Sequence, residues 1–275
     1  MAIKFVDRVP TRPGRIKITP EDGSGVWYGV MERADEPSVE GTPINAANLN
    51  AMQQNQGMSS GMTVYVATSG SDSLGDGSST APYATITKAL SVIPKQLNGY
   101  TARIYLESGT YPEKLTINGF SGGTLMFTGV TGASISVTSI SIQHTEMLIF
   151  RNLNFSVMGS NDVLYGVHIT ASHMVVDTGS FSVSNASVSG IYAILGSTVY
   201  FTTLTVSAVG NAVNASNGAQ IIAGTITGTA SENGLRATAG GHIFYGINTL
   251  SVPAMYVTSS GGRILTGAQT SIPNY

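Results

Sequence analysis

Cysteine is absent from this 275-residue chain, which removes disulfide frameworks, thiolate metal sites and cysteine nucleophiles together. Charge is nearly as scarce. The chain carries 13 basic and 15 acidic side chains, for a formal net charge of −2. That is 10% of its residues, against roughly 25% in an ordinary soluble domain. With no basic excess to neutralise phosphates, a nucleic-acid binder is excluded. No run approaches the ~18 apolar residues of a membrane-spanning helix, so membrane insertion is not expected. The first residues, Met1 to Pro10, lack the apolar core of a secretory signal, so synthesis in the cytoplasm without export by that route is expected. With hydrophobic residues at 42%, the chain is not disordered either.

The charge is unevenly spread. Residues 1–60 hold 13 charged side chains, residues 61–120 hold 8, and residues 121–275 hold only 7. The first stretch also contains Pro10, Pro13, Pro20, Pro37 and Pro43, half of the ten prolines. Proline fixes φ and removes a donor, so no long helix or central strand fits there. Arg15–Thr19 and Val26–Val30 read as two short strands around a turn at Pro20–Gly25. Asn45–Gln54 reads as a short helix, with Asn45 as N-cap and Leu49 and Met52 on one face. The polar stretch Asn55–Gly61 is a linker. One hairpin and one short helix bury too little to stand alone, so residues 1–60 are expected to pack on a partner.

Repeats dominate the remainder of the chain. From residue 116 it falls into seven rows starting at Thr116, Ser139, Tyr165, Gly190, Asn211, Asn233 and Ala254, at intervals of 21 to 26 residues. The eleventh and twelfth positions are apolar in every row, from Met126-Phe127 to Ile264-Leu265. Six of seven eighth positions are Gly or Ser, and the fourteenth positions are Gly, Asn or Thr, which is turn chemistry. Such rows cannot bury an apolar face singly, and stacking like over like builds one continuous core. The pattern predicts an all-β, right-handed parallel β-helix. A β-sandwich is the competing architecture, and Asn233-Gly234 is the one hairpin-type pair in its favour. The open end of a solenoid needs a lid. Ile86, Ala89, Leu90, Ile93 and Leu97 form one helical face just before the rows, shortened by Pro94. The expected layout is therefore an attachment segment and linker at 1–60 and a β-helix body at 61–275. Within the body, 61–115 would be the cap and 116–275 the rungs.

Chemistry is sparse in the rows. They contain only Glu146, Asp162, Asp177 and Glu232 as acids, and none of these pair at the spacing a glycosidase needs. Arg151, Arg236 and Arg263 form no cluster, and His144, His168, His173 and His242 fall at different row positions. The loop carrying Asp72 and Asp76-Gly77 suits a cation or a tight turn equally. Tyr165, Tyr192, Tyr200, Tyr245 and Tyr256 are candidate aromatic platforms for sugars or subunit contacts. No catalytic residue, cofactor site or metal site emerges.

Two stretches resemble known families. Phe5–Ile18 and Arg33–Leu49 resemble the N-terminal segments of bacteriophage and prophage tail proteins from Gram-positive hosts, which precede fibre or spike bodies and dock on the tail tip or baseplate. Thr63–Asp72, Gly75–Leu90 and Arg103–Ile117 resemble the opening of right-handed β-helix proteins of the pectin-lyase-like superfold, a group that includes polysaccharide lyases, glycosidases and phage tailspikes. The resemblances imply a virion or phage-like particle protein: a structural tail fibre or spike, docked through residues 1–60 and presenting its β-helix to a host-surface glycan. The alternative is a tailspike depolymerase whose site lies between subunits. A homotrimer is expected, because neutral flanks with so little charge need covering.

Overall fold

The computed structural model describes residues 15–18, 27–30, 57–159, 164–177, 179–186, 188–208 and 210–267. The expected helix at 45–54, the turn at 20–25 and Asp162 lie outside these residues. The chain divides into two units, 1–56 and 57–275, placing the boundary slightly before the expected 60/61. Met58 explains the difference. Its backbone N–H donates to Gln96 O at 2.8 Å, its own carbonyl accepts from Asn98 Nδ2, and its side chain is buried. In the first unit, β1 (Arg15–Ile18) and β2 (Trp27–Val30) pair antiparallel, as the two β-branched and aromatic runs suggested.

The second unit is a parallel β-solenoid. Its strands form a seven-stranded and an eleven-stranded sheet, and every strand pair between named strands in them is parallel. The ladder begins earlier than the row pattern implied. Met62–Val66 (β3) already pairs in register with Thr101–Leu106 (β4), which pairs with Thr124–Val137 (β7). The alternation in Val64-Tyr65-Val66 and Ile104-Tyr105-Leu106 makes these true coils, so the cap and rungs merge.

Each later coil has three walls. The first is the seven-stranded sheet, from Lys114–Asn118 (β6) to Ala254–Ser259 (β19). The long strands then supply two walls each. Thr198–Ala208 (β14) pairs through its first half with His173–Val176 (β11) and through its second half with Phe181–Ala186 (β12). Asn233-Gly234 opens Asn233–Thr238 (β17), which pairs parallel on both sides. It makes no hairpin, and the sandwich is excluded.

Inward positions are apolar and stacked. Phe127, Phe150, Phe155 and Phe181 are all fully buried. Phe127 stacks on Phe150 at 5.0 Å and Phe155 on Phe181 at 5.7 Å. Burying each such side chain is worth roughly 1.5–3 kcal/mol. Glycines at or just before the eighth position mark stacked corners. Leu195-Gly196, Asn217-Gly218, Ala239-Gly240 and Ser260-Gly261 all have positive φ, and each is closed by an i to i+3 bond, such as Ala219 N to Ser216 O at 3.1 Å. Two consecutive left-handed residues within that bond are the type I′ pattern, which asks for Gly or Asn.

The lid is α1 (Ile86–Val92), shorter than its five-residue apolar face because Ile93 and Pro94 leave helical geometry. Ile86, Ala89 and Leu90 are buried, as are Ile93 and Leu97 beyond it. Its N-terminus is capped twice. Thr85 Oγ1 accepts from Lys88 N at 3.0 Å, and Glu113 accepts from the N–H groups of Ile86 and Thr87 at 2.9 and 2.8 Å.

Candidate functional site

The apolar pairs at row positions eleven and twelve divide between the two faces of their strand. Strand alternation sends only one residue of each pair inward. Strand register aligns Met126, Ile149, Val175, Tyr200, Ile222, Phe244 and Leu265 across seven successive coils. The first six each lie between two buried neighbours, as Val175 does between Met174 and Val176. They form an apolar ladder on the outside of the second wall. Met126, Ile149 and Val175 make a hydrophobic cluster separate from the main core, with Met147 and Tyr200 packed on it. Tyr200, Ile222 and Phe244 are half-buried, and Leu265 is 43% exposed.

The third wall is different outside. Ser136, Ser156, Ser182, Thr205, Thr227 and Thr249 are register partners. Their hydroxyls bond to one another, Ser182 to Ser156 at 2.9 Å and Thr205 with Thr227 at 3.2 Å. This wall is lined outside by Ser and Thr hydroxyls.

The first wall gathers the rings. Its outward register row runs Ser141, His168, Tyr192, Asn214, Arg236 and Val257. Tyr165 and Tyr192 stack with centroids 4.7 Å apart and planes at 26°. His168 stacks on Tyr192 at 5.4 Å and 12°, and lies 5.1 Å from Tyr165. All three rings are half-buried. Burial holds the His168 imidazole below the ordinary histidine value and pushes the Tyr192 phenol up, with the charges of Tyr165 and Arg236 as smaller opposing influences.

The other expected residues scatter. Tyr200 stacks on His173 on the second wall, centroids 5.9 Å apart. Tyr245 points inward, and its hydroxyl meets that of half-exposed Tyr256. Burial, with the Tyr256 contact, lifts the Tyr245 phenol to about 12. His144 sits at a corner with φ 45°. His173 and His242 share a register row but are separated by Thr198 and Gln220. Among the described residues, no group of three or more His, Asp or Glu is placed to hold a metal ion.

The carboxylates are engaged. Asp177 accepts from Arg151 Nε, which leaves that arginine committed to the same strand level. Glu146 accepts from Gly122 N. Leu148 is at the level of Met174, so Glu146 and Asp177 are offset by five residues along the strand direction. At about 3.3 Å per residue that is roughly 16 Å, beyond the reach of either two-carboxylate mechanism. Asp72 accepts from Ala84 N, Thr85 N and Thr85 Oγ1 at 2.7–3.1 Å, and Asp76 from Ser78 N at 2.9 Å, so both carboxylates close the turn.

Sequence reasoning found the tyrosines but not their meeting. Tyr165 and Tyr192 lie 27 residues apart, one coil plus a small offset, and that offset decides whether rings touch. Their outward direction was signalled by the apolar residues flanking Tyr192, Ile191 and Ala193. No family model, curated protein or solved structure matches the chain.

Proposed function

We propose that this protein is a structural tail fibre or spike of a phage or phage-derived particle, held by residues 1–60 on the tail or baseplate. The body works as a rigid homotrimeric shaft that presents its uncovered walls to a host-surface glycan. The apolar ladder of the second wall carries this reading. Of its seven side chains in strict register, about 4.8 Å apart along the axis, Met126, Ile149 and Val175 are already buried within the chain. Tyr200, Ile222, Phe244 and Leu265 form a partly exposed stripe that water disfavours and an identical parallel copy matches. Three copies around one axis would cover three such stripes. The hydroxyl wall and the wall bearing Tyr165, His168 and Tyr192 would then remain free. The resemblance of Phe5–Ile18 and Arg33–Leu49 to tail-docking segments supplies the particle. The engaged states of Asp177 and Glu146 favour a binding body over a hydrolytic one.

Full-length chain should co-sediment with tail particles in a density gradient, and deleting residues 1–60 should release it. Undiminished incorporation of the truncated chain would overturn the docking role.

A further inference from the structure

The structure assigns a binding site to the outer face of the first wall: Tyr165, His168, Tyr192, Asn214 and Arg236 take a short acidic oligosaccharide, with a sugar ring on the aromatic half and its carboxylate or phosphate on Arg236. The inference rests on the glycan-presenting function proposed for the body and names the place and the chemistry.

Three observations meet there. The first is the ring cluster, in which two tyrosines and a histidine pack within 5.4 Å of one another on the outside of a sheet. A rigid aromatic surface with polar rims suits the apolar face of a pyranose. The second is Asn214. It is the register partner of Tyr192 on one side and Arg236 on the other. It is only 4% exposed, yet its Oδ1 has no hydrogen-bond partner. Buried acceptors are almost always satisfied, and an unmet one costs free energy until a donor arrives. Ser189 Oγ, on the register partner of Tyr165, is likewise buried and unmet. Ser189 thus lies on the strand that carries Tyr192, and Asn214 on the strand next to it. The third is Arg236, half-buried, with no carboxylate partner among the described residues. Its charge is felt at the Tyr192 phenol.

The order along the axis matters. His168, Tyr192, Asn214 and Arg236 occupy four successive coils, so the row spans about 14 Å at about 4.8 Å per step. That is a length for several linked sugars rather than one. A hydroxyl of the chain donates to Asn214 Oδ1 between the ring-stacking unit and the anionic group. Arg236, which presents a planar fork of donors, pairs with carboxylate or phosphate. The hydroxyl ladder of the third wall offers neither ring nor cation and is not part of the site.

Isothermal titration of the full-length chain tests this with three probes: short oligogalacturonate, phosphorylated mannan oligosaccharide and neutral maltooligosaccharide. At low salt at least one acidic probe should bind about tenfold tighter than the neutral one, the worth of one charge-assisted hydrogen bond. Which acidic probe prefers the site separates carboxylate from phosphate sources. Tyr192→Ala should weaken every probe about tenfold. Arg236→Gln should erase the acidic preference while retaining neutral binding, and Arg236→Lys should restore part of it. Thr227→Ala, on the other wall, should change nothing. Melting of each variant confirms folding, and if Tyr192→Ala fails to fold, Tyr165→Ala, which removes the other ring of the stacked pair, should weaken every probe in the same way. Equal affinity for acidic and neutral probes, no binding to any of them, or indifference to Arg236→Gln would overturn the assignment. Particle association through residues 1–60 is read separately, so loss of one result leaves the other standing.

Discussion

At the residue scale, backbone freedom at single positions sets the tolerances of the solenoid. Gly228 has φ +122°, and a Cβ there would lie 1.8 Å from Val206 O, the carbonyl of its own register partner. Gly196 has φ +70° but open space around it. Gly228→Ala should therefore cost well over 2 kcal/mol by prising adjacent coils apart. Gly196→Ala should cost only about 1 kcal/mol, the conformational penalty alone. Urea denaturation of the two variants measures the contrast. Equal losses would mean that contact with the neighbouring coil does not govern these positions.

Protonation is a second residue-scale property. Burial holds both His168 and His173 below the ordinary histidine value of 6.5. The unfolded chain therefore takes up protons first as pH falls. Stability is flat above pH 6.5 and declines below it, until the folded-state values are passed. Asp76, lowered from 3.8 by its Ser78 contacts, acts only in a more acidic range. Urea midpoints should fall between pH 7.5 and pH 5.5, and His168→Gln should flatten part of that slope. A slope unchanged in that variant would mean that His168 is not one of the groups responsible.

At the element scale, much was legible and some was not. The rows starting at Ser139, Tyr165, Asn211, Asn233 and Ala254 coincide with the first residues of first-wall strands, because turn chemistry and β-branched runs recur with every coil. The helix face of Ile86, Ala89 and Leu90 was equally plain. Three things were hidden. The apolar pairs at row positions eleven and twelve do not say which member points inward, since both are hydrophobic. Between the coil of Tyr200-Phe201 and that of Ile221-Ile222 the inward member changes from second to first. Glu113 reaches α1 across 27 residues, a contact without local sequence signature. Its carboxylate meets two backbone donors at the positive end of the helix. Glu113→Gln should lower stability by about 1 kcal/mol, read as a melting shift of a few degrees, whereas Glu107→Gln should not.

At the scale of the whole molecule, the low charge of residues 121–275 has three separate meanings. Inside, it reflects a stacked apolar core. On the third wall, it reflects hydroxyls satisfied by one another. On the second wall, it is an apolar stripe outside the main core, of which Tyr200, Ile222, Phe244 and Leu265 stay partly exposed, and the proposed trimer rests on that exposed part. Sequence alone implied neutral flanks but could not locate them, since three walls are told apart only by register. Multi-angle light scattering of the full-length chain at micromolar concentration is the decisive measurement. A trimer mass is expected, and a smaller species when Ile222 and Phe244 are both replaced by lysine, with the β-rich circular dichroism retained. A stable monomer in the parent protein, or a trimer indifferent to the two lysines, would contradict the covered stripe and the shaft built on it.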